Sequence, residues 1–501
     1  MLFLPALRRP GKEASMDVLL LHLAPTRSSY VSHFQRMEPL MHLYLGRALS
    51  GRHRLRLVDL RLEKSLTRAL SGFRPRAAVV AVYPLSLLGL DPVLRELRGL
   101  VPEVRILVVP AVEYGASHVG ERPEEYLHPL AEAVVTNELI SASQRAVPAV
   151  LEAWEEGARG GDLTSIPHLL VRKEDGSLVR TGSEPVTAGD IGLPDRSLLG
   201  PYRGRYRFFG ISGMANVVYT WGCRYKCEFC PMSKHDGSIV RRDPAHVMEE
   251  LSGLSEPNVF LTDFEPFLLP FAMHELAGKI EEAGIRKRWF ALLRADTALR
   301  EIELVRRWRR LGLRWVYLGL DGHSDERLRG FHKSCTMDTN IAAVEAMKKL
   351  GLAVTVAFLV SPSFTHEDFA ELRKSVARVR PTFLDFTVET PLPGTRLFDR
   401  TEETMTTRDW SLLDLQHAML PTHLPLREFY RQMTRLHLLG ARRSLPGMLR
   451  AYPLRDLARN LFLGGSAMLK SSTSLRDHGQ EAAPGGIPGR DQRPSGSLSA
   501  T

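Results

Sequence analysis

The chain has 501 residues, with 67 Lys and Arg against 57 Asp and Glu and a formal net charge of +10. That length exceeds one ordinary core and implies two or three domains, while only four cysteines exclude a disulfide framework. The absence of any run of eighteen apolar residues argues against a transmembrane helix. The basic excess suits an anionic cofactor, a nucleic acid or an anionic membrane face, and composition alone does not choose among them.

Residues 1–15 contain Arg8, Arg9 and Lys12 but no continuous apolar stretch, so they read as a flexible extension and not a signal peptide. From Asp17 to Leu23 runs a short apolar strand of the kind buried on both faces. Further strands are expected at 53–60, 77–83, 104–109 and 133–136, with helices at 38–49, 62–72, 90–98 and 139–156 between them. This βαβ series predicts an open doubly wound sheet over 16–156, whose ligands bind outside the carboxyl ends of the strands. The loops at those ends are 24–34, 83–88, 111–120 and 137–138, and Gly115, Ser117 and His118 form the most suggestive small-residue turn among them. Residues 157–209 read as a linker containing a hairpin, 168–173 against 178–180, turned at Asp175-Gly176.

The stretch Gly222-Cys223-Arg224-Tyr225-Lys226-Cys227-Glu228-Phe229-Cys230 holds three of the four cysteines at the spacing CxxxCxxC. Three thiolates from one loop can hold three irons of a [4Fe–4S] cube and leave the fourth without a protein ligand. The alternatives are a zinc site, for which His235 is the nearest fourth ligand, and three apolar buried thiols. Around this loop the pattern is again strand then helix, with strands expected at 217–219, 258–261, 289–294, 315–318, 354–360 and 383–388. Six such units over 210–400 predict a partial (β/α)6 barrel with its active face at the carboxyl ends of the strands. Residues 401–470 read as a helical region, with 411–440 helical. Residues 449–463 mix arginine with apolar side chains, which fits packing on the barrel or contact with a membrane surface. Gly, Ser, Pro, Gln and Arg dominate the tail at 471–501, which reads as disordered.

Several polar residues stand at strand ends of this second unit. Asp263 and Glu265 are placed to hydrogen-bond a ligand ammonium or to cap a turn. Arg294 can pair with a ligand carboxylate or with Asp296. Asp321 and His323 follow the fourth strand, and Cys335 reads as a small apolar residue or a second thiol. Arg241 and Arg242 can meet an anionic ligand or solvent.

CxxxCxxC with Phe229-Cys230 resembles the signature of the radical S-adenosylmethionine (SAM) superfamily. The preceding half resembles the cobalamin-binding domain found in one branch of it, although no DxHxxG motif is present. Arg294-Ala295-Asp296-Thr297, Pro362 to Phe369, Phe386 to Thr395 with its Pro391-x-Pro393-Gly394-Thr395 loop, and Leu415 to Thr422 resemble the hopanoid C-3 methylases within that branch. The resemblance implies an α/β fold: a Rossmann-like cobalamin-binding domain, a radical SAM barrel and a helical C-terminal region. Cys223, Cys227 and Cys230 would hold a [4Fe–4S] cluster. Asp263, Glu265, Arg294 and Asp321 would contact SAM, and Gly115, Ser117 and His118 would contact cobalamin, carried as methylcobalamin. Asp321 stands where relatives carry glutamate.

The implied activity is methylation of an unactivated carbon of a hopanoid lipid or related natural product. It calls for a reductase, flavodoxin or ferredoxin as electron donor, a cytoplasmic setting and peripheral contact with the inner membrane face, and no nucleic acid. Alternatives are a radical enzyme of cyclisation or oxidation, a non-catalytic iron–sulfur protein, and an RNA-modifying enzyme, for which no RNA-binding signature appears.

Overall fold

The computed structural model describes residues 16–25, 35–111, 117–137, 139–186, 188–234, 237–454 and 456–460. Its first sheet has seven strands: β1 (Asp17–His22), β2 (Arg54–Asp59), β3 (Ala77–Val82), β4 (Arg105–Pro110), β5 (Ala133–Val135), β6 (Leu169–Arg172) and β7 (Leu178–Arg180). They lie in the order β2-β1-β3-β4-β5-β6-β7. The first five are parallel, as the runs of Val, Leu and Ala require for strands covered on both faces. The hairpin expected as part of a linker instead extends this sheet, pairing antiparallel to β5. Its inward residues Leu169 and Val171 are fully buried, so hairpin and sheet share one core.

The second sheet is parallel throughout and runs β8 (Met214–Val217), β9 (Asn258–Leu261), β10 (Arg288–Arg294), β11 (Leu313–Asp321), β12 (Ala353–Val360) and β13 (Phe383–Val388) in sequence order. Alternate residues such as Val259, Leu261, Ala291, Leu293, Val316, Leu318, Val354 and Val356 pack outward against the helices. The other set turns inward. At the amino ends of the strands Phe260, Phe290, Trp315 and Phe383 meet Phe208 and Phe209 and form an aromatic floor. The ring centroids of Trp315 and Phe383 are 4.4 Å apart, and those of Phe208 and Phe260 are 3.7 Å apart.

Two further expectations are corrected. The first barrel strand ends at Val217 and not at Tyr219, because the chain turns away there. Tyr219 and Thr220 give their N–H groups to the Asp263 carboxylate, and Thr220-Trp221 pairs with Val240-Arg241 as a separate small ribbon. The stretch 411–440 is not one helix. Residues 410–412 form a short 3-10 turn, 413–425 are irregular and contain Pro421 and Pro425, and the helix spans Leu426–Ala451. Proline cannot sit in a helix interior without losing a bond, and Pro425 occupies the position just before the helix, where no bond is lost.

Candidate functional site: a thiol loop above an apolar cavity between the two sheets

The carboxyl ends of both sheets face one cavity of about 360 Å³. The first sheet contributes Tyr83, Pro84 and Leu85 from the end of β3. The second contributes Val218, Trp221, Phe264, Phe260, Leu292 and Tyr317, and Leu392, Pro393 and Leu413 to Leu415 cover another side. Leu392 and Pro393 of the Pro391-x-Pro393-Gly394-Thr395 loop thus form part of the cavity wall. Gly394 takes φ 87°, and Thr395 caps the next helix by accepting from Phe398 N–H. The lining is predominantly apolar, as befits a site for a large apolar ligand.

Cys223, Cys227 and Cys230 lie on the loop that follows Trp221. Cys223 and Cys227 are buried and Cys230 is half-buried. Burial pushes all three thiols up, Cys230 to about 12, and the charge of neighbouring thiolates adds to the rise at Cys223 and Cys230. The loop is braced on several sides. Arg224 donates to the Leu268 carbonyl (3.0 Å), Cys230 N–H donates to the Cys227 carbonyl (3.0 Å), and the Phe229 ring meets Phe331 edge to face. Gly222, immediately before Cys223, has φ 109°. A Cβ there would stand 2.1 Å from the Ser238 carbonyl oxygen, so only glycine fits.

Among the described residues no three His, Cys, Asp or Glu side chains converge on one point as a single metal ion would require. Each thiolate of a [4Fe–4S] cube binds a different iron, so neighbouring but separate thiols fit that group. His235, the fourth ligand of the zinc alternative, lies outside the described residues, as does Asp236.

Arg294, at the end of β10, faces this loop. Its Nη1 is 3.5 Å from Cys227 Sγ, and its guanidinium lies 3.6 Å from the Tyr225 ring centroid. It also pairs with Asp296, Nε to Oδ1 at 2.9 Å, which is the second of the two roles open in the sequence. Glu265 is buried and accepts the Arg294 N–H through Oε2, while its Oε1 is buried with no partner among the described residues. Burial raises its carboxyl to about 8. An orphaned buried oxygen is costly, and a cationic ligand group placed there relieves it. Asp263 has a different role. It is buried, its carboxyl is raised by burial to about 6, and both its oxygens accept from Tyr219 and Thr220. It braces the strand that enters the thiol loop.

Asp321 ends β11 in the left-handed region at φ 61°, after a register shift between Gly319 and Asp321. Aspartate tolerates this conformation better than most residues, and it brings the carboxylate onto the ammonium of Lys333. Lys333 is buried and its positive charge favours the Cys227 thiolate. Sequence reasoning missed it. Its Lys-Ser-Cys-Thr setting carries no motif, and only the fold brings it beside Cys227. Two other candidates have neighbours of their own. His323 lies among Phe364, Asp368 and Glu371 on the helical side. Cys335 packs on the core with Sγ 3.8 Å from Asn340 Oδ1.

On the first sheet, Gly115 lies outside the described residues, while Ser117 and His118 open a short helix, Ser117–Glu121. His22 is fully buried at the end of β1, stacked 6.0 Å from Tyr83, and burial lowers its pKa. Arg242, open in the sequence to a ligand or solvent, meets neither. It is fully buried and donates to Tyr44 Oη (2.9 Å), Glu250 (2.7 Å), and the Val218 and Gly192 carbonyls (2.8 Å each).

Residues 217–376 match the model of the radical SAM superfamily. The chain is 28% identical over 466 residues to the hopanoid C-3 methylase of Methylococcus capsulatus, covering 91% of this chain and 86% of the relative. Its fold is similar to that of the cobalamin-dependent S-adenosylmethionine radical enzyme OxsB, solved with aqua-cobalamin and S-adenosylmethionine bound. The TM-score is 0.64 at 13% identity, covering 92% of this chain and 72% of that one. It is also similar to the radical S-adenosylmethionine methyltransferase TsrM of Kitasatospora setae, with TM-score 0.60 at 16% identity, covering 78% and 76%.

Proposed function

From the radical SAM domain that this chain carries, we propose that it is a cobalamin-dependent radical SAM C-methyltransferase acting on an unactivated carbon of a hopanoid or a related apolar natural product. One observation carries the reading: the three-thiol loop runs between Trp221 and Pro231, two residues that line an apolar cavity whose wall is shared with the doubly wound sheet through Tyr83, Pro84 and Leu85. When bound, the cluster with SAM supplies a carbon radical that removes a hydrogen atom, and cobalamin supplies the methyl group. In this reading the unit at 16–156, extended by its hairpin, cradles cobalamin, with Ser117 and His118 near its tail together with Gly115. The unit at 210–400 holds the cluster and SAM.

Each side chain then has a physical task. Cys223, Cys227 and Cys230 act as thiolates, a form that Arg294 and Lys333 favour at Cys227 by their positive charge. Glu265 Oε1 accepts from the methionyl ammonium of SAM, and Arg294, held flat on Tyr225, receives its carboxylate. Asp321 keeps Lys333 in place beside Cys227. Trp221, Phe264, Leu292 and Tyr317 exclude water and fit an apolar ring system, in line with the hopanoid substrate of the relative from Methylococcus capsulatus. The partners that this activity calls for are an electron donor such as a reductase, flavodoxin or ferredoxin, and a membrane that holds the lipid.

The test is anaerobic turnover of reconstituted protein with methylcobalamin, a reductant and methyl-labelled SAM, read by mass spectrometry against a hopanoid-containing lipid extract. Labelled 3-methylhopanoid together with 5'-deoxyadenosine establishes the reading. SAM cleavage with a product of unchanged carbon count replaces it with cyclisation or oxidation. No cleavage by protein that carries the cluster leaves a structural iron–sulfur site.

A further inference from the structure

The helix Leu426–Ala451 buries one side, through Phe429, Met433, Leu436 and Gly440, against the barrel. Its opposite side has an unusual composition. Seven large apolar side chains are strongly exposed among the described residues, and four of them belong to this helix and the turn after it: Leu438 (56%), Leu445 (43%), Leu449 (61%) and Leu454 (85%). Leu438, Leu445 and Leu449 are spaced by seven and four residues, which puts them on a single stripe about 16 Å long.

Arginines frame the stripe. Arg427, Arg431, Arg435, Arg442, Arg443 and Arg450 are all exposed, and the helix carries a single acidic residue, the half-buried Glu428, already paired with Arg431. The adjoining end of the helix His366–Val379 adds exposed Lys374 and Arg378, and Arg380 follows it. No helix of the described residues is long and apolar enough to cross a membrane. An exposed leucine stripe inside an arginine frame has the make-up of a helix that lies in the plane of a lipid surface, with leucines among the acyl chains and arginines at the headgroups.

We propose that this face, Leu438, Leu445, Leu449 and Leu454 with the arginines around them, docks the protein on an anionic membrane surface. Charge complementarity selects the occupant. A second copy of this chain would bring arginine against arginine, and a neutral apolar partner would leave five of the six guanidiniums of the helix without counter-charge. The inference stands on the surface itself and not on the methyltransferase reading, and its readout is binding, so either can fail without the other.

The experiment is co-sedimentation of the full chain with vesicles of phosphatidylcholine alone or mixed with phosphatidylglycerol, at low and high salt. The expected result is binding to the mixed vesicles only, weakened by salt. Leu445→Glu with Leu449→Glu should abolish it, and Arg435→Gln with Arg442→Gln should weaken it roughly thirtyfold. The arginine pair stands as the second variant should the glutamates disturb the fold, which circular dichroism reports. Equal binding to both vesicle types, no binding, or wild-type binding by both variants overturns the proposal. So does a leucine variant whose only change is loss of self-association, or vesicle binding carried by residues 461–501 alone.

Discussion

Two buried groups of charges in this molecule look alike in composition and differ in what is left over. At the seam between the sheets, Glu38, Arg196, Glu250 and Arg242 alternate in sign. Arg196 lies 3.3 Å from Glu38 and 2.9 Å from Glu250, and Arg242 lies 2.7 Å from Glu250. Asn216 completes the row, donating its N–H to Glu38 (2.7 Å) and accepting from Arg196 at its carbonyl (2.6 Å). Beside the thiol loop, Glu265, Arg294, Asp296, Asp321 and Lys333 are also buried or nearly so, yet three thiols and one Glu265 oxygen remain open to a ligand. The seam pairs its carboxylates with its guanidiniums, leaving over only single nitrogens of Arg242 and Asn216, and holds two halves together. The site keeps charge in reserve, and that reserve marks where a ligand is bound.

The largest test of this contrast is removal of a thiol. Cys227→Ala should leave the fold intact and lose iron binding and 5'-deoxyadenosine formation altogether, as read by iron content and chromatography. Gly222→Ala should do the same by another route, since its Cβ meets the Ser238 carbonyl at 2.1 Å and the loop must move. At the seam the consequence is reversed. Glu250→Ala strands the Arg242 guanidinium and leaves Arg196 with Glu38 alone, and should cost about 3–5 kcal/mol in urea unfolding, with the remaining folded protein still assembling its cluster. Glu265→Gln is intermediate. It should weaken SAM binding about tenfold, the loss of one charge-assisted hydrogen bond, without lowering stability.

The smallest effect belongs to the bridge between Arg122 and Glu402, at 2.9 and 2.6 Å, which ties the first sheet's side to the C-terminal region. The hydrogen bonds from Arg122 hold the Glu402 carboxyl down at about 2. A depressed carboxylate contributes stability above its unfolded pKa, near 4.3, and loses it as pH falls toward the folded value. Glu402→Gln should therefore flatten the acid limb of a melting profile by no more than about 1 kcal/mol, as for other partly solvated pairs.

How far these features could be read in the sequence follows from how local they are. The thiol loop is contained in eight residues, and the parallel strands announce themselves as runs such as Ala-Ala-Val-Val-Ala-Val, so both were legible. The seam was not, because Glu38, Arg196, Asn216, Arg242 and Glu250 are ordinary residues until two sheets bring them together. Lys333 stayed hidden for the same reason. The region 411–425 misled because its apolar residues suggest a helix while its prolines and the positive φ of Leu415 break one. The hairpin at 168–180 was legible as a hairpin, but which sheet it joins depends on burial that no turn signal carries.

The aromatic floor of the barrel has a bearing on biosynthesis. Residues 207–212, which supply Phe208 and Phe209, are held by groups near the end of the described chain. Tyr452 Oη donates to the Phe209 carbonyl (2.6 Å), Arg459 Nη1 donates to Ser212 Oγ (2.7 Å), and Asp456 accepts from Ser212 N–H (3.2 Å). A chain emerging from the ribosome can complete its first sheet early, as N-terminal units generally do. It cannot seal the barrel floor until residue 460 has been made, so a nascent protein stopped at residue 440 should expose its aromatic floor while the thiol loop, braced by Leu268 and Phe331, is already in place.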